Sequence, residues 1–173
     1  MTLQPPPSSP EQPSAIEPQA RPIEPAISVI TLAVADLERA VRFYRDGLGW
    51  PTRGIVGADL AHGAVAFFEL GGGLKLALWP QASLDRETGA SRKAVSQEAK
   101  EVSVPRTLLS HNVPSAERVS EVLARALRAG ARCVRTPYAP VWGGLVTFFA
   151  DPDGHLWEIA WNPAWTPCVQ PGA

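Results

Sequence analysis

Residues 147–161 read TFFADPDGHLWEIAW, and their reading decides the fold. Residues 147–150 are an apolar run of strand character. Asp151, Pro152, Asp153 and Gly154 follow as a tight turn, in which Pro presets φ and Gly is free to take positive φ. Residues 156–161 form a second apolar run that carries one acid, Glu158. An ionised carboxylate is costly to bury alone, so Glu158 needs either a partner or a task. The stretch therefore predicts a β-hairpin with one acid of interest.

A second stretch has the same layout. Residues 67–78 read FFELGGGLKLAL, with Phe68 and Phe149 81 residues apart and Gly73 and Gly154 the same distance apart. Further upstream the offset is 79: Asp36 matches Ser115, Val34 matches Val113, Glu38 matches Glu117 and Arg39 matches Arg118. The chain is an internal duplication.

Each half then reads in the same order. In the first, residues 27–34 are an apolar strand, and Asp36 is an N-cap with Glu38 in the first turn, where the helix dipole favours an acid. Leu37, Ala40, Val41, Tyr44 and Leu48 keep helical spacing, and Gly47, Gly49 and Pro51 stop the helix. A strand at 52–56, a loop through His62 and a hairpin over 65–79 complete a βαβββ module. In the second, residues 106–113 are a strand and Ser115 caps a helix with Ala116, Val119, Leu123, Ala126 and Leu127 inward. Gly130 ends that helix. A strand at 132–135 and a loop at 137–144 holding Tyr138 and Trp142 lead into the opening hairpin.

The flanks differ in composition. Residues 1–26 contain Pro5, Pro6, Pro7, Pro10, Pro13, Pro18, Pro22 and Pro25, so a disordered or polyproline II tail is expected. It reads as a solubilising extension or a PxxP ligand. Residues 81–105 are a polar linker with a helical turn near 82–87, and its charges are solvated or form a flap over a cavity. Residues 164–173 are a Pro-rich C-terminal tail, with Trp165 packing back. The expected divisions are thus a tail at 1–26, modules at 27–80 and 106–163, the linker at 81–105 and the tail at 164–173.

Composition narrows the function. A hydrophobic content of 45% supports a proper core, and a net charge of −1 gives no reason to expect nucleic acid or an anionic membrane. Cys133 and Cys168 show no CxxC spacing and read as thiols of a reducing compartment. No apolar run approaches the roughly 20 residues that cross a bilayer. The N-terminus lacks a secretory pattern, so a cytoplasmic protein is expected.

VADLERAVRFYRDGLGW, LLSHNV, PVWGG and FFADPDGHLWEIAWNP, in that order, resemble the vicinal oxygen chelate superfamily, the group of glyoxalases, bleomycin-resistance proteins and extradiol dioxygenases. The similarity covers about residues 27–163. It implies an α+β fold of two βαβββ modules whose sheets form an open cupped barrel around a cavity. Metal-dependent members place ligands on the first and last strands of each module. The matching positions here are Val29, Ala77, Leu108 and Glu158. Only Glu158 can bind a metal, whereas a protein-held divalent ion usually needs three or more N, O or S ligands. The expectation is no metal site and no cofactor.

With those positions turned inward, strand alternation adds their neighbours. Thr31, Lys75, Trp79, Ser110, Asn112 and Glu158 line the cavity, and the resemblance adds Tyr138 and Trp142 at its rim. Such a site suits a small, mostly organic ligand. Glu158 is the candidate catalytic residue, as a general base, or else a structural acid bonded to Ser110, Asn112 or water. The ordinary alternative for Lys75 is to snorkel to solvent, and that for Trp79 is to be core. His111 should face the helices, His62 sits in a loop, and His155 should be exposed. The expected protein is a homodimer that binds a drug or metabolite or acts as a Glu158-assisted enzyme. The competing classes are a metal-dependent lyase or dioxygenase, which tightly held metal would reveal, and a protein-interaction module.

Overall fold

The computed structural model describes residues 25–89 and 107–165. Expectations for the N-terminal tail, for most of the linker and for the end of the C-terminal tail lie outside the described residues. The first module comprises β1 (Val29–Val34), α1 (Leu37–Arg42), β2 (Thr52–Val56), β3 (Val65–Glu69) and β4 (Lys75–Pro80), followed by α2 (Gln81–Thr88). The second comprises β5 (Leu108–Asn112), α3 (Ala116–Arg128), β6 (Arg132–Tyr138), β7 (Leu145–Ala150) and β8 (Leu156–Trp161).

Each module folds into a four-stranded sheet, ordered β1-β4-β3-β2 and β5-β8-β7-β6. The first and last strands pair in parallel and the hairpins are antiparallel. Among the described residues the two sheets share no ladder, which leaves the cup open. This is the α+β pair of βαβββ modules expected from the duplication.

Local chemistry explains the helices. Asp36 Oδ1 accepts from the Arg39 backbone N–H at 2.9 Å, and Ser115 Oγ accepts from that of Arg118 at 3.4 Å, so both expected caps form. Beyond Arg42 the first helix widens into a π-turn over Phe43–Gly47, closed by Leu48 N–H donating to Phe43 C=O at 2.9 Å. Phe43 and Tyr44 are consecutive and both buried, which the wider turn accommodates. Among the described residues of the linker, Gln81–Thr88 form α2, which is longer than the single turn expected.

Alternation along the strands decides where the core lies. Leu32, Val34, Leu76, Leu78, Trp157 and Ile159 point to the helix layer and are buried. They join α1 and α3 side chains from both modules in one continuous apolar cluster. Burying this shared core supplies most of the stabilisation, at roughly 25 cal/mol per Å² of apolar surface. The opposite faces, carrying Val29 and Thr31 on one sheet and Leu108 and Ser110 on the other, are open to solvent.

Two local expectations are corrected. Tyr138 ends strand β6 rather than sitting in a loop. β6 is an edge strand with register shifts between Cys133 and Tyr138, so Pro137 and its missing N–H are tolerated there. Trp165 is 62% exposed and does not pack back. The PVWGG stretch turns on Gly144, which has φ 81° and lies against the Trp161 carbonyl, where no Cβ would fit.

Candidate functional site

The open face of the first sheet holds a cavity of about 700 Å³, lined by Pro51, Thr52, Arg53, Gly54, Val56, Phe67, Glu69 and Lys75. Phe67 is 38% exposed, unusual for a ring that large, and forms its apolar wall. Thr52 Oγ donates to the Phe67 carbonyl at 2.6 Å and fixes the strand that carries it. Lys75 and Glu69 are register partners on adjacent strands and form a 2.9 Å ion pair. Both side chains remain solvated, so the pair adds little stability and is free to be exchanged for a ligand.

Of the residues expected from sequence, Lys75 lines this cavity. Thr31 lies on the same open face opposite Ala77, and Trp79 lies two residues further on, opposite Ala33. The Trp79 indole N–H is buried and has no acceptor among the described residues.

The open face of the second sheet holds the other half of the expected set. Ser110 and Glu158 are register partners, and Ser110 Oγ–H donates to Glu158 Oε2 at 2.5 Å. Asn112 pairs with Ala160 one step along the same face. Tyr138 lies under the Arg135 guanidinium, whose carbon is 3.4 Å from the ring centroid. Trp142 is 48% exposed on the turn before β7. The structure thus brings Ser110, Asn112 and Glu158 together. Thr31, Lys75 and Trp79 stand on a separate sheet, and no hydrogen bond among the described residues joins the two sets.

The four positions matching metal ligands are Val29, Ala77, Leu108 and Glu158. Val29 is 41% exposed, Leu108 is 43% exposed and Ala77 is buried. Hydrocarbon at three of the four corners does not fit a divalent ion. Among the described residues no group of three or more His, Cys, Asp or Glu side chains could hold one.

Sequence reasoning missed two things. Arg53, Phe67 and Glu69 belong to the first cavity. Their signal was the same alternation: Phe68 is buried, so Phe67 and Glu69 must face the other side. It also missed the network in the β7–β8 turn. Tyr44 O–H donates to Asp151 Oδ2 at 2.6 Å, Trp157 Nε1–H donates to Tyr44 Oη at 3.1 Å, and His155 Nδ1 is 2.9 Å from Asp151 Oδ2. His155, expected to be exposed, has only a quarter of its side chain accessible. Burial alone would raise the Asp151 carboxyl, but hydrogen bonds from His155 and Tyr44 outweigh it and hold the carboxyl below its ordinary range. Burial works against a His155 cation, yet bonding to Asp151 raises the imidazole above its usual value. Burial, then Asp151, pushes the Tyr44 phenol well up. His111 faces the helices as expected, and burial followed by Arg118 lowers it.

The model of the Glyoxalase/Bleomycin resistance protein/Dioxygenase superfamily matches residues 26–159. A glyoxalase-related enzyme from Fulvimarina pelagi is 33% identical, with a TM-score of 0.65 over 82% of this chain and 91% of its own. A glyoxalase/bleomycin resistance protein/dioxygenase from Nocardioides is 25% identical, with a TM-score of 0.59 over 87% and 91%. A lactoylglutathione lyase from Agrobacterium tumefaciens shares the fold at 21% identity and a TM-score of 0.55, over 81% and 96%. No curated protein matches.

Proposed function

Because the chain belongs to the glyoxalase/bleomycin resistance protein/dioxygenase superfamily, we propose that it binds a small organic molecule on the open faces of its sheets without a resident divalent metal. The observation that carries this reading is the concavity of about 700 Å³ beside Phe67, within the size range of ligand sites. Its wall is apolar on the Phe67 and Val56 side and carries Arg53 and Lys75 for a carbonyl or acidic group of the ligand. The hydrocarbon corners support a binding protein that sequesters a drug or metabolite over a metal-dependent lyase or dioxygenase.

A second copy of the chain completes the site in this reading. Each chain exposes one open face with Lys75 and another with Glu158, and both carry accessible apolar side chains. An isologous dimer that laid one copy's first sheet over its partner's second would form two equivalent closed cavities. It would bring Thr31, Lys75 and Trp79 to Ser110, Asn112, Tyr138, Trp142 and Glu158. Sedimentation velocity of the full chain should give a dimer, and Leu108→Asp should shift it to monomer; a monomer at all concentrations would remove the closing half.

A second reading rests on the 2.5 Å contact of Ser110 with Glu158. A carboxylate accepting a hydrogen bond from a hydroxyl on an open face is within reach to take a proton as general base. Among the described residues no helix is long and apolar enough to cross a membrane. We place the protein in the cytoplasm, with neither nucleic acid nor membrane as partner.

The test is a thermal-shift screen of chelator-treated protein against small organic molecules, since a ligand of the native state raises the melting temperature. Hits should be lost in Phe67→Ser and weakened in Lys75→Met. Hits that survive both changes would place the ligand elsewhere. Glu158 is half-buried, but Gln can still accept from Ser110, so Glu158→Gln should lower the melting temperature by no more than the equivalent of about 1 kcal/mol.

A further inference from the structure

A second concavity lies between the modules, away from both open faces. It encloses about 330 Å³, at the small end of ligand-sized pockets. Its floor is aromatic. Trp50 packs edge-on against Trp157 at 5.4 Å and against His111 at 6.2 Å between centroids. Its wall is one stripe of α3, residues 118, 121, 125 and 128 at helical i, i+3, i+7 and i+10 spacing.

The charge on that wall is unbalanced. Arg118 is paired with Glu121 at 2.6 Å. Arg125 gives its Nε–H to the Gly47 carbonyl at 2.5 Å, which pins the guanidinium over the first module and leaves its terminal nitrogens without an acid among the described residues. Arg128 has neither ion pair nor hydrogen bond among the described residues. Three guanidiniums therefore face the single carboxylate of Glu121. A solvated helix face would let its arginines sweep freely, whereas Arg125 is fixed by the backbone. A fixed planar fork loses little freedom when it takes a carboxylate in two parallel hydrogen bonds. His111 is held neutral by burial and by Arg118, so it adds a polar edge without adding charge.

An aromatic floor under a cationic wall selects for a flat ring with an anionic end. We propose that this inter-module pocket binds a compact aromatic carboxylate, its ring against Trp50 and its carboxylate toward Arg125 and Arg128. The site is separate from the Phe67 cavity and needs neither Lys75 nor Glu158. A ligand here touches Trp50 and α3 at once, so occupancy would also brace one module against the other.

The test follows the Trp50 indole N–H by NMR in the full chain, assigned through Trp50→Phe. Benzoate should shift that resonance saturably, with a Kd on the order of 1 mM or tighter. Benzamide, which keeps the ring and loses the charge, should bind about tenfold more weakly. Inorganic phosphate should bind more weakly than benzoate, because it lacks the ring. Arg128→Gln and Arg118→Gln should each weaken benzoate while leaving the melting temperature unchanged, and Lys75→Met should leave benzoate binding as it was. Four results would overturn the proposal: no saturable shift, equal binding of benzamide or phosphate, indifference to both arginine changes, or loss of the shift in Lys75→Met.

Discussion

The turn between β3 and β4 and the turn between β7 and β8 close with the same kind of hydrogen bond, but they differ in backbone, with φ positive at Gly72 and not at Asp153, and in contents. In the first, Leu70 N–H donates to Leu74 C=O at 2.8 Å; in the second, 81 residues on, Asp151 N–H donates to His155 C=O at 3.0 Å. Between these residues the first turn has only Gly71–Gly73. The second has a buried carboxylate that accepts from Tyr44 across 107 residues and from the backbone N–H groups of Asp153 and His155. Asp153 Oδ1 accepts from Arg39 at 2.7 Å and from the Ala35 backbone N–H at 2.8 Å. Residues 70–74 make no hydrogen bond to any described residue of the second half. The duplication kept the hairpin in both halves, and one copy alone ties the modules together.

The largest break in this comparison is Asp151→Ala. It strips a buried network of its acceptor and leaves the Tyr44 hydroxyl proton without an acceptor, at about 3–5 kcal/mol. Leu70→Ala at the matching place should cost only about 1–2 kcal/mol, because Leu70 is half-buried. Urea denaturation of both variants measures the difference. Equal losses would mean that the network does not distinguish the turns.

Tyr44→Phe is the finer cut. The ring keeps its contacts with Trp50 and Phe68, at 5.5 and 5.8 Å between centroids. What goes is the donor to Asp151 and the acceptor for Trp157, worth about 1–3 kcal/mol. A loss that appears only when the ring is removed as well would assign the effect to packing.

The network also gives a pH signature. The His155 pKa is raised from 6.5, so its contribution is complete below that value and is lost as pH rises through the folded pKa. The Asp151 pKa is lowered from 3.8, so its contribution is complete above that value and is lost as pH falls through the folded pKa. The pair therefore stabilises most between those two values. His111, lowered from 6.5, acts oppositely to His155: the unfolded chain takes its proton first, and stability falls as pH drops below 6.5. The difference between wild type and His155→Gln isolates the pair. It should shrink as pH rises above 6.5, and a difference independent of pH would show that the imidazole carries no linked proton.

Arg39→Gln is the smallest expected effect. The Arg39 side chain is 43% exposed although that of Asp153 is 5% exposed, and the Ala35 backbone N–H still serves the same carboxylate oxygen, so the loss should be about 1 kcal/mol.

Much of the fold was legible because its signals are local. Asp36 and Ser115 cap helices from three residues away, and the alternation of Leu76 with Ala77 or Trp157 with Glu158 is visible without any partner. The duplication then turned one hairpin into two modules. The Tyr44 bond to Asp151 was not legible, since neither residue carries a local mark of a partner so distant, and Asp151 reads as an ordinary turn former. His155 was misread for the same reason: its burial depends on that distant carboxylate. The open face was read residue by residue only where alternation was followed, so Ser110 and Glu158 were found as a pair and Phe67 was passed over.

We propose that the open faces serve an organic ligand with no divalent ion at their hydrocarbon corners. Isothermal titration of chelator-treated full-length protein with Zn²⁺, Ni²⁺ and Fe²⁺ tests it most directly. No stoichiometric binding tighter than about 10 μM is expected, since a lone carboxylate with waters holds a divalent ion far more weakly than that. One equivalent of tightly bound metal, lost in Glu158→Gln, would contradict it.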